Sequence, residues 1–130
     1  MIRKSILLAA AFCCLSMGWA QNSSINIVPT PKEMKVNNGT FHFDQNTRIA
    51  IKGKAAQTAA QFFCDKVKTS TGIELQQGKA GAPATISFII DKKIKGNEAY
   101  TLDVTPQTIT LKASTAAGMF YATQSLLQLL

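Results

Sequence analysis

Seven carboxylates, one histidine and three cysteines are the acid, base and nucleophile candidates of this 130-residue chain. The carboxylates are Glu33, Asp44, Asp65, Glu74, Asp91, Glu98 and Asp103, and no two are adjacent. Hydrolysis by a neighbouring Asp–Glu pair is therefore not encoded, and each carboxylate reads as a surface or turn group. A thiol nucleophile needs a histidine to activate it. His42 alternates with Phe41 and Phe43 in the run Thr40 to Asp44, so it faces away from the apolar side of its segment. Cys64 reads as an ordinary buried or edge cysteine unless the fold brings His42 to it. One histidine with one cysteine cannot furnish a zinc site, and there is no His-Glu-x-x-His. Gly78-Lys79-Ala80-Gly81 precedes a strand and not a helix, so it is no phosphate cradle. No catalytic, cofactor-binding or metal-ligating residue is assigned to this chain, and no cofactor is expected.

The start of the chain bears on which of these groups persist. Arg3 and Lys4 precede an apolar run from Ile6 to Met17, and Gly18-Trp19-Ala20 follows. This is the layout of a secretory signal peptide, with a cut expected after Ala20. The apolar run falls short of the roughly 20 residues that span a bilayer, so no stable membrane association is expected. Ala10-Ala11-Phe12 ahead of Cys13 and Cys14 fits a lipid-attachment signal poorly. The cut leaves residues 21–130 as one small domain, with Cys64 its one cysteine and hence no internal disulfide. The expected product is exported to the periplasm or beyond.

Charge gives a bland reading. The formal net charge is +7, and losing Arg3 and Lys4 lowers it to +5. The lysines are spread along the chain, and the one cluster, Lys92-Lys93-Ile94-Lys95-Gly96-Asn97, reads as a loop. Nucleic-acid binding would want basic residues interleaved with exposed aromatics, so a solvated basic surface is expected and no nucleic-acid partner.

The elements follow from periodicity. Ile25 to Val28 reads as a short strand stopped by Pro29 and Pro31. Glu33–Val36 and Thr40–Phe43 flank Asn37-Asn38-Gly39, the signature of a tight hairpin. Thr47 to Ile51 is a strand before Gly53. Lys54 to Thr69 is a helix with the apolar stripe Ala56, Ala59, Ala60, Phe63 and Val67, closed at Gly72 with Ile73 packing back. Ile73 to Leu75 is a strand, Gln76 to Pro83 a loop, and Ala84 to Ile90 the most apolar strand, expected at the sheet centre. Tyr100, Leu102 and Val104 alternate with polar residues, and Ile109 and Leu111 repeat this beyond a turn at Pro106.

A second helix is expected over 114–130, with Ser114 as N-cap. Its core stripe would be Ala116, Met119, Phe120, Thr123, Leu126, Leu127 and Leu130. Gly118, Ala122, Ser125 and Leu129 form a flank on which another helix or a neighbouring domain could come close. Tyr121, Gln124 and Gln128 take the remaining side. Leu129-Leu130 lacks the Gly, Asn or basic residues that usually close a helix, so the sequence reads as cut short. The order of elements gives an α+β fold: a mixed, mainly antiparallel sheet with two helices packed on one face.

Two stretches carry a resemblance. Ala99-Tyr100-Thr101-Leu102, followed by Ser114-Thr115-Ala116-Ala117-Gly118-Met119-Phe120-Tyr121-Ala122-Thr123-Gln124-Ser125-Leu126-Leu127-Gln128-Leu129-Leu130, resembles the end of the N-terminal domain of glycoside hydrolase family 20 β-N-acetylhexosaminidases. Ile27-Val28-Pro29-Thr30-Pro31-Lys32 resembles that domain's opening. The resemblance implies a zincin-like α+β domain, non-catalytic, ahead of a (β/α)8 barrel of about 250 residues. In that family the substrate's own 2-acetamido group attacks the anomeric carbon, beside an adjacent Asp and Glu of the barrel. The implied partner is that barrel, docked through the 114–130 helix, and glycan would be met only through it. The alternatives are the leading domain of another barrel glycosidase and a free-standing secreted binding module.

Overall fold

A computed structural model describes residues 25–78 and 85–130. The segment expected to be a signal peptide, with Trp19, Cys13 and Cys14, and residues 79–84 of the expected loop lie outside the described residues. Among the described residues five strands and two helices follow one another as β1 (Arg48–Lys52), α1 (Gln57–Thr71), β2 (Gln76–Gln77), β3 (Ile86–Ile90), β4 (Tyr100–Val104), β5 (Ile109–Ala113) and α2 (Ala116–Leu127), with a 3-10 turn at Lys54–Ala56 before α1. The strand order across the sheet is β2-β1-β3-β5-β4, so β3 is central, as its apolar run implies.

The sheet is mixed, but its balance differs from expectation. β1 pairs in parallel with β2 and β3, β3 pairs in parallel with β5, and only β4–β5 is antiparallel. Strand periodicity reports a buried face and not a partner. The intervening α1 lets β1 and β3 run the same way, as a parallel pair requires a crossover.

One face of the sheet is apolar and carries both helices. Ile49, Ile86, Phe88, Ile109, Leu111 and Ala113 are buried there. In register across the strands, Ile49 meets Ile86, which meets Ile109, and Phe88 meets Leu111. From α1 come Ala59, Ala60, Phe63 and Val67, the stripe that 3.6-residue periodicity selects. Phe63 is fully buried, its ring 5.8 Å from Phe88 and 6.2 Å from Phe43. The helix stops at Gly72, left-handed at φ 74°, whose N–H donates to the Lys68 carbonyl. That conformation is nearly free for glycine.

The second helix is turned relative to its expected orientation. Its buried residues are Gly118, Met119, Ala122, Thr123, Ser125 and Leu126, whereas Phe120 is 41% exposed and Leu130 59%. The small residues face the helix's own sheet and not a neighbouring domain. A Cβ on Gly118 would stand 2.6 Å from the Ala99 carbonyl oxygen and 3.2 Å from the Ala113 side chain. Ser125 reaches the sheet as well, its hydroxyl 2.6 Å from that of Tyr100. The cap is Thr115 and not Ser114: the Thr115 hydroxyl accepts from the Gly118 N–H at 3.1 Å. Ser114 instead donates to the Gly96 carbonyl at 3.0 Å.

The amino-terminal segment also departs from expectation. Neither Ile25–Val28 nor the two arms around Asn37-Asn38-Gly39 form strands, and the strand expected at Ile73–Leu75 is displaced to Gln76–Gln77. Gly39 takes the positive φ, 113°, and leans on Pro106, whose Cγ a Cβ would meet at 2.6 Å. Phe41 and Phe43, 5.0 Å apart, pack against the core while His42 stays exposed. Side-chain packing therefore holds this segment where a ladder was expected.

Candidate functional site

The fold disperses the groups that could do chemistry. Asp44 closes a turn, accepting from the Asn46 N–H at 2.9 Å and the Thr47 hydroxyl at 3.0 Å. Asp91 accepts from the Lys93 N–H at 2.9 Å. Asp65 accepts from the Gln61 amide on the next turn of α1. Glu74 pairs with Lys68 at 3.0 Å, but with side chains 58% and 74% exposed the bridge is solvated and adds little stability. Glu33, Glu98 and Asp103 are exposed. None of these positions sets a carboxylate in a dry cleft, where a general acid would be expected.

Cys64 is half-buried on the flank of α1. Burial pushes its thiol up, the Asp65 carboxylate pushes the same way, and a backbone hydrogen bond opposes both. The thiolate is the nucleophile, so this environment suppresses reactivity. Cys64 lines an open groove between α1 and β1–β2 with Ile49, Ala60, Leu75 and the Lys68–Glu74 pair, and His42 is not part of it. The fold thus does not assemble the dyad. Among the described residues no group of three or more His, Cys, Asp or Glu could hold a metal ion.

The remaining feature is a surface. On the side of the helices away from the sheet, Phe62 of α1 and Phe120 of α2 are 5.5 Å apart, and Tyr121 lies 6.5 Å from Phe120. Phe120 and Tyr121 are 41% and 42% exposed, Leu129 and Leu130 37% and 59%. Lys66 covers part of the aromatic cluster, its ammonium 5.5 Å from the Phe62 ring centre. Tyr121 and Gln128 are seven residues apart and so share a face two turns on. That face leads to Val28, 75% exposed, whose backbone is bonded to the Gln128 side chain. Scattered apolar residues on a surface need no explanation; aromatics in mutual contact on one side of a helix pair do. The periodicity of α2 counted Phe120 and Leu130 as core. The signal that places Phe120 outside is the row of small residues, Gly118, Ala122 and Ser125, which lets the opposite side approach the sheet.

The family model for glycosyl hydrolase family 20, domain 2, matches residues 24–130. The chain belongs to glycosyl hydrolase family 20. Two beta-hexosaminidases align with this family 20 domain. That of Porphyromonas gingivalis is 27% identical over 142 aligned residues, covering 98% of this chain and 18% of its own. That of Vibrio vulnificus is 31% identical over 105 residues, covering 79% of this chain and 12% of its own. This chain therefore spans less than a fifth of either relative. Among solved structures, the GH20 β-N-acetylhexosaminidase of Streptomyces coelicolor superposes with a TM-score of 0.73 at 25% identity, over 80% of this chain and 21% of its own. The β-N-acetylhexosaminidase of Bacteroides fragilis gives 0.65 at 26% identity, over 81% and 21%. The mixed five-stranded sheet with two helices is the α+β domain that the resemblance implies.

Proposed function

We propose that this family 20 domain is the leading, non-catalytic part of an exported β-N-acetylhexosaminidase. In this reading it supports a (β/α)8 barrel that removes terminal N-acetylhexosamine from glycans by substrate-assisted hydrolysis. The observation that carries the reading is the contacting Phe62–Phe120–Tyr121 cluster on the outer side of the helices. The opposite side of the helices is already satisfied by the sheet, so these aromatics are free to be covered by the barrel of the same polypeptide. The dispersal of the carboxylates agrees with this, since substrate assistance needs an Asp and a Glu side by side and the domain offers neither position.

Residues 1–20 act in this reading as a cleaved signal peptide, which puts the protein in the periplasm or outside the cell. Membrane attachment has no support from the described residues, where no helix is long and apolar enough to cross a bilayer. The test is hydrolysis of an aryl N-acetyl-β-glucosaminide. The purified 130-residue chain gives no turnover, whereas a polypeptide continuing into the barrel does. Turnover by the 130-residue chain itself would contradict the assignment.

A further inference from the structure

The lysines that are scattered in sequence are gathered by the topology. β1, β3 and β5 run in parallel, so their carboxyl ends lie together, and the loop after β3 and the turn after β1 leave from the same end. Lys52 and Lys112 flank Ile89 in register on the face without helices. Lys54 follows β1, and Lys92, Lys93 and Lys95 follow β3. All six are exposed. The loop is fixed in place: the Asp91 N–H donates to the Ala113 carbonyl at 2.8 Å, the Lys92 ammonium to the Ser114 carbonyl at 2.8 Å, and the Ser114 hydroxyl to the Gly96 carbonyl.

The described residues hold eleven lysines and arginines and seven carboxylates, a net +4. This end holds six of those cations and two of the carboxylates, Asp91 and Glu98, so it carries the whole +4 and the other described residues balance. No ion pair among the described residues neutralises any of the six lysines, because the one salt bridge is Lys68–Glu74. A cluster of one sign raises the local concentration of counter-charged ligands.

We propose that the carboxyl ends of β1, β3 and β5, with the 91–97 loop, form a binding face for an acidic polysaccharide. The neighbouring open face bears hydroxyls, with Ser87 and Thr110 in register one row behind the lysines and Asp103 beside them. Exposed lysines above such a floor suit an extended, hydrated chain of carboxylates or sulfates. Single-stranded nucleic acid would need stacking aromatics, and a bilayer surface would need apolar side chains to insert. The exposed aromatics lie on the outer side of the helices, and the isoleucines at this end, Ile51, Ile89, Ile90 and Ile94, are half-buried.

The test is binding of the full chain to polygalacturonate, a polymer without N-acetylhexosamine, so that its outcome is independent of the hydrolase reading. Binding is measured at ionic strengths of ~0.01 M and ~0.15 M, where the screening length falls from about 30 Å to about 8 Å. The expected result is retention at the lower salt that weakens at the higher. It should drop about tenfold or more in the triple variant K52E/K95E/K112E. The charge-matched control K32E/K35E/K66E should stay within about twofold of the parent. Thermal unfolding of both variants, whose substituted side chains are exposed, should match the parent. Equal loss in both variants, tighter binding to duplex DNA or to phosphatidylglycerol vesicles than to polygalacturonate, or no binding at all would each overturn the proposal.

Discussion

The side-chain amide of Gln128 takes both backbone hydrogen bonds of Val28, accepting from its N–H at 2.8 Å and donating to its carbonyl at 2.9 Å. One glutamine near the end of α2 thus does for the amino-terminal segment what a neighbouring strand would otherwise do. The two bonds are exposed, and an exposed hydrogen bond contributes about 0.5–1.5 kcal/mol net. Gln128→Ala should therefore cost about 1 kcal/mol in denaturant unfolding and speed amide exchange at Val28. Unchanged exchange at that amide would show that the clamp does not hold in solution.

Gly118→Ala separates helix propensity from packing. Propensity alone favours alanine by about 1 kcal/mol inside a helix. The added Cβ would stand 2.6 Å from the Ala99 carbonyl oxygen, a backbone atom that cannot swing aside. Overpacking of this kind costs about 1–3 kcal/mol, so the variant should be destabilised. Gly72→Ala is the comparison, since nothing lies within 4 Å and the only penalty is its φ of 74°. That variant should lose about 1–2 kcal/mol, from backbone strain alone. A stabilised Gly118→Ala in thermal melting would mean that α2 does not approach the sheet this closely.

Phe63 ties α1 to the centre of the sheet, touching Phe88 below and Phe43 from the amino-terminal segment. Truncating a buried phenylalanine costs about 3–5 kcal/mol. A domain this size has about 5–15 kcal/mol in all. Phe63→Ala should leave a marginally folded chain, seen as a fall in the denaturant midpoint; a loss below about 1 kcal/mol would place Phe63 outside the core.

For Cys64 the prediction concerns pH. Its thiol is pushed above the ordinary value by burial first and by Asp65 second. The fold therefore favours the protonated form. The associated stability is fully present below the pKa of the unfolded thiol and is lost as pH rises through the raised value. Alkylation by iodoacetamide should be slower than for a free thiol and should rise at a higher pH. Asp65→Asn should move that profile part of the way back. A profile at or below that of free cysteine would refute the assignment.

Sequence made the elements legible where periodicity was long and unbroken. The stripe on α1 and its stop at Gly72, the central place of β3, and the β4–β5 hairpin all follow from spacing of apolar residues. Three things were hidden because tertiary contacts decide them. Ser114 and Thr115 are both good caps, and the loop carbonyl of Gly96 takes the first, which leaves the second for the helix. Leucines and Phe120 outweigh Gly118, Ala122 and Ser125 on any hydrophobicity count, yet the small residues face inward because they permit close approach. Partner choice in the sheet leaves no local trace, so the parallel pairings escape a reading built on alternation. For the functional groups the same limit applies: the absence of an adjacent carboxylate pair is plain from spacing, whereas the meeting of Phe62 with Phe120 needs the packing of α1 on α2.

The strand order carries a kinetic corollary. β3 finds its neighbours through Ile49–Ile86 and Ile86–Ile109, partners distant along the chain, and such pairings close only after the entropy of long loops has been lost. The β4–β5 hairpin and the α2 that follows it are by contrast assembled from near neighbours. Nucleation should accordingly begin in the final third of the polypeptide, with φ-values highest around Leu102, Leu111 and Met119 and lowest in β1.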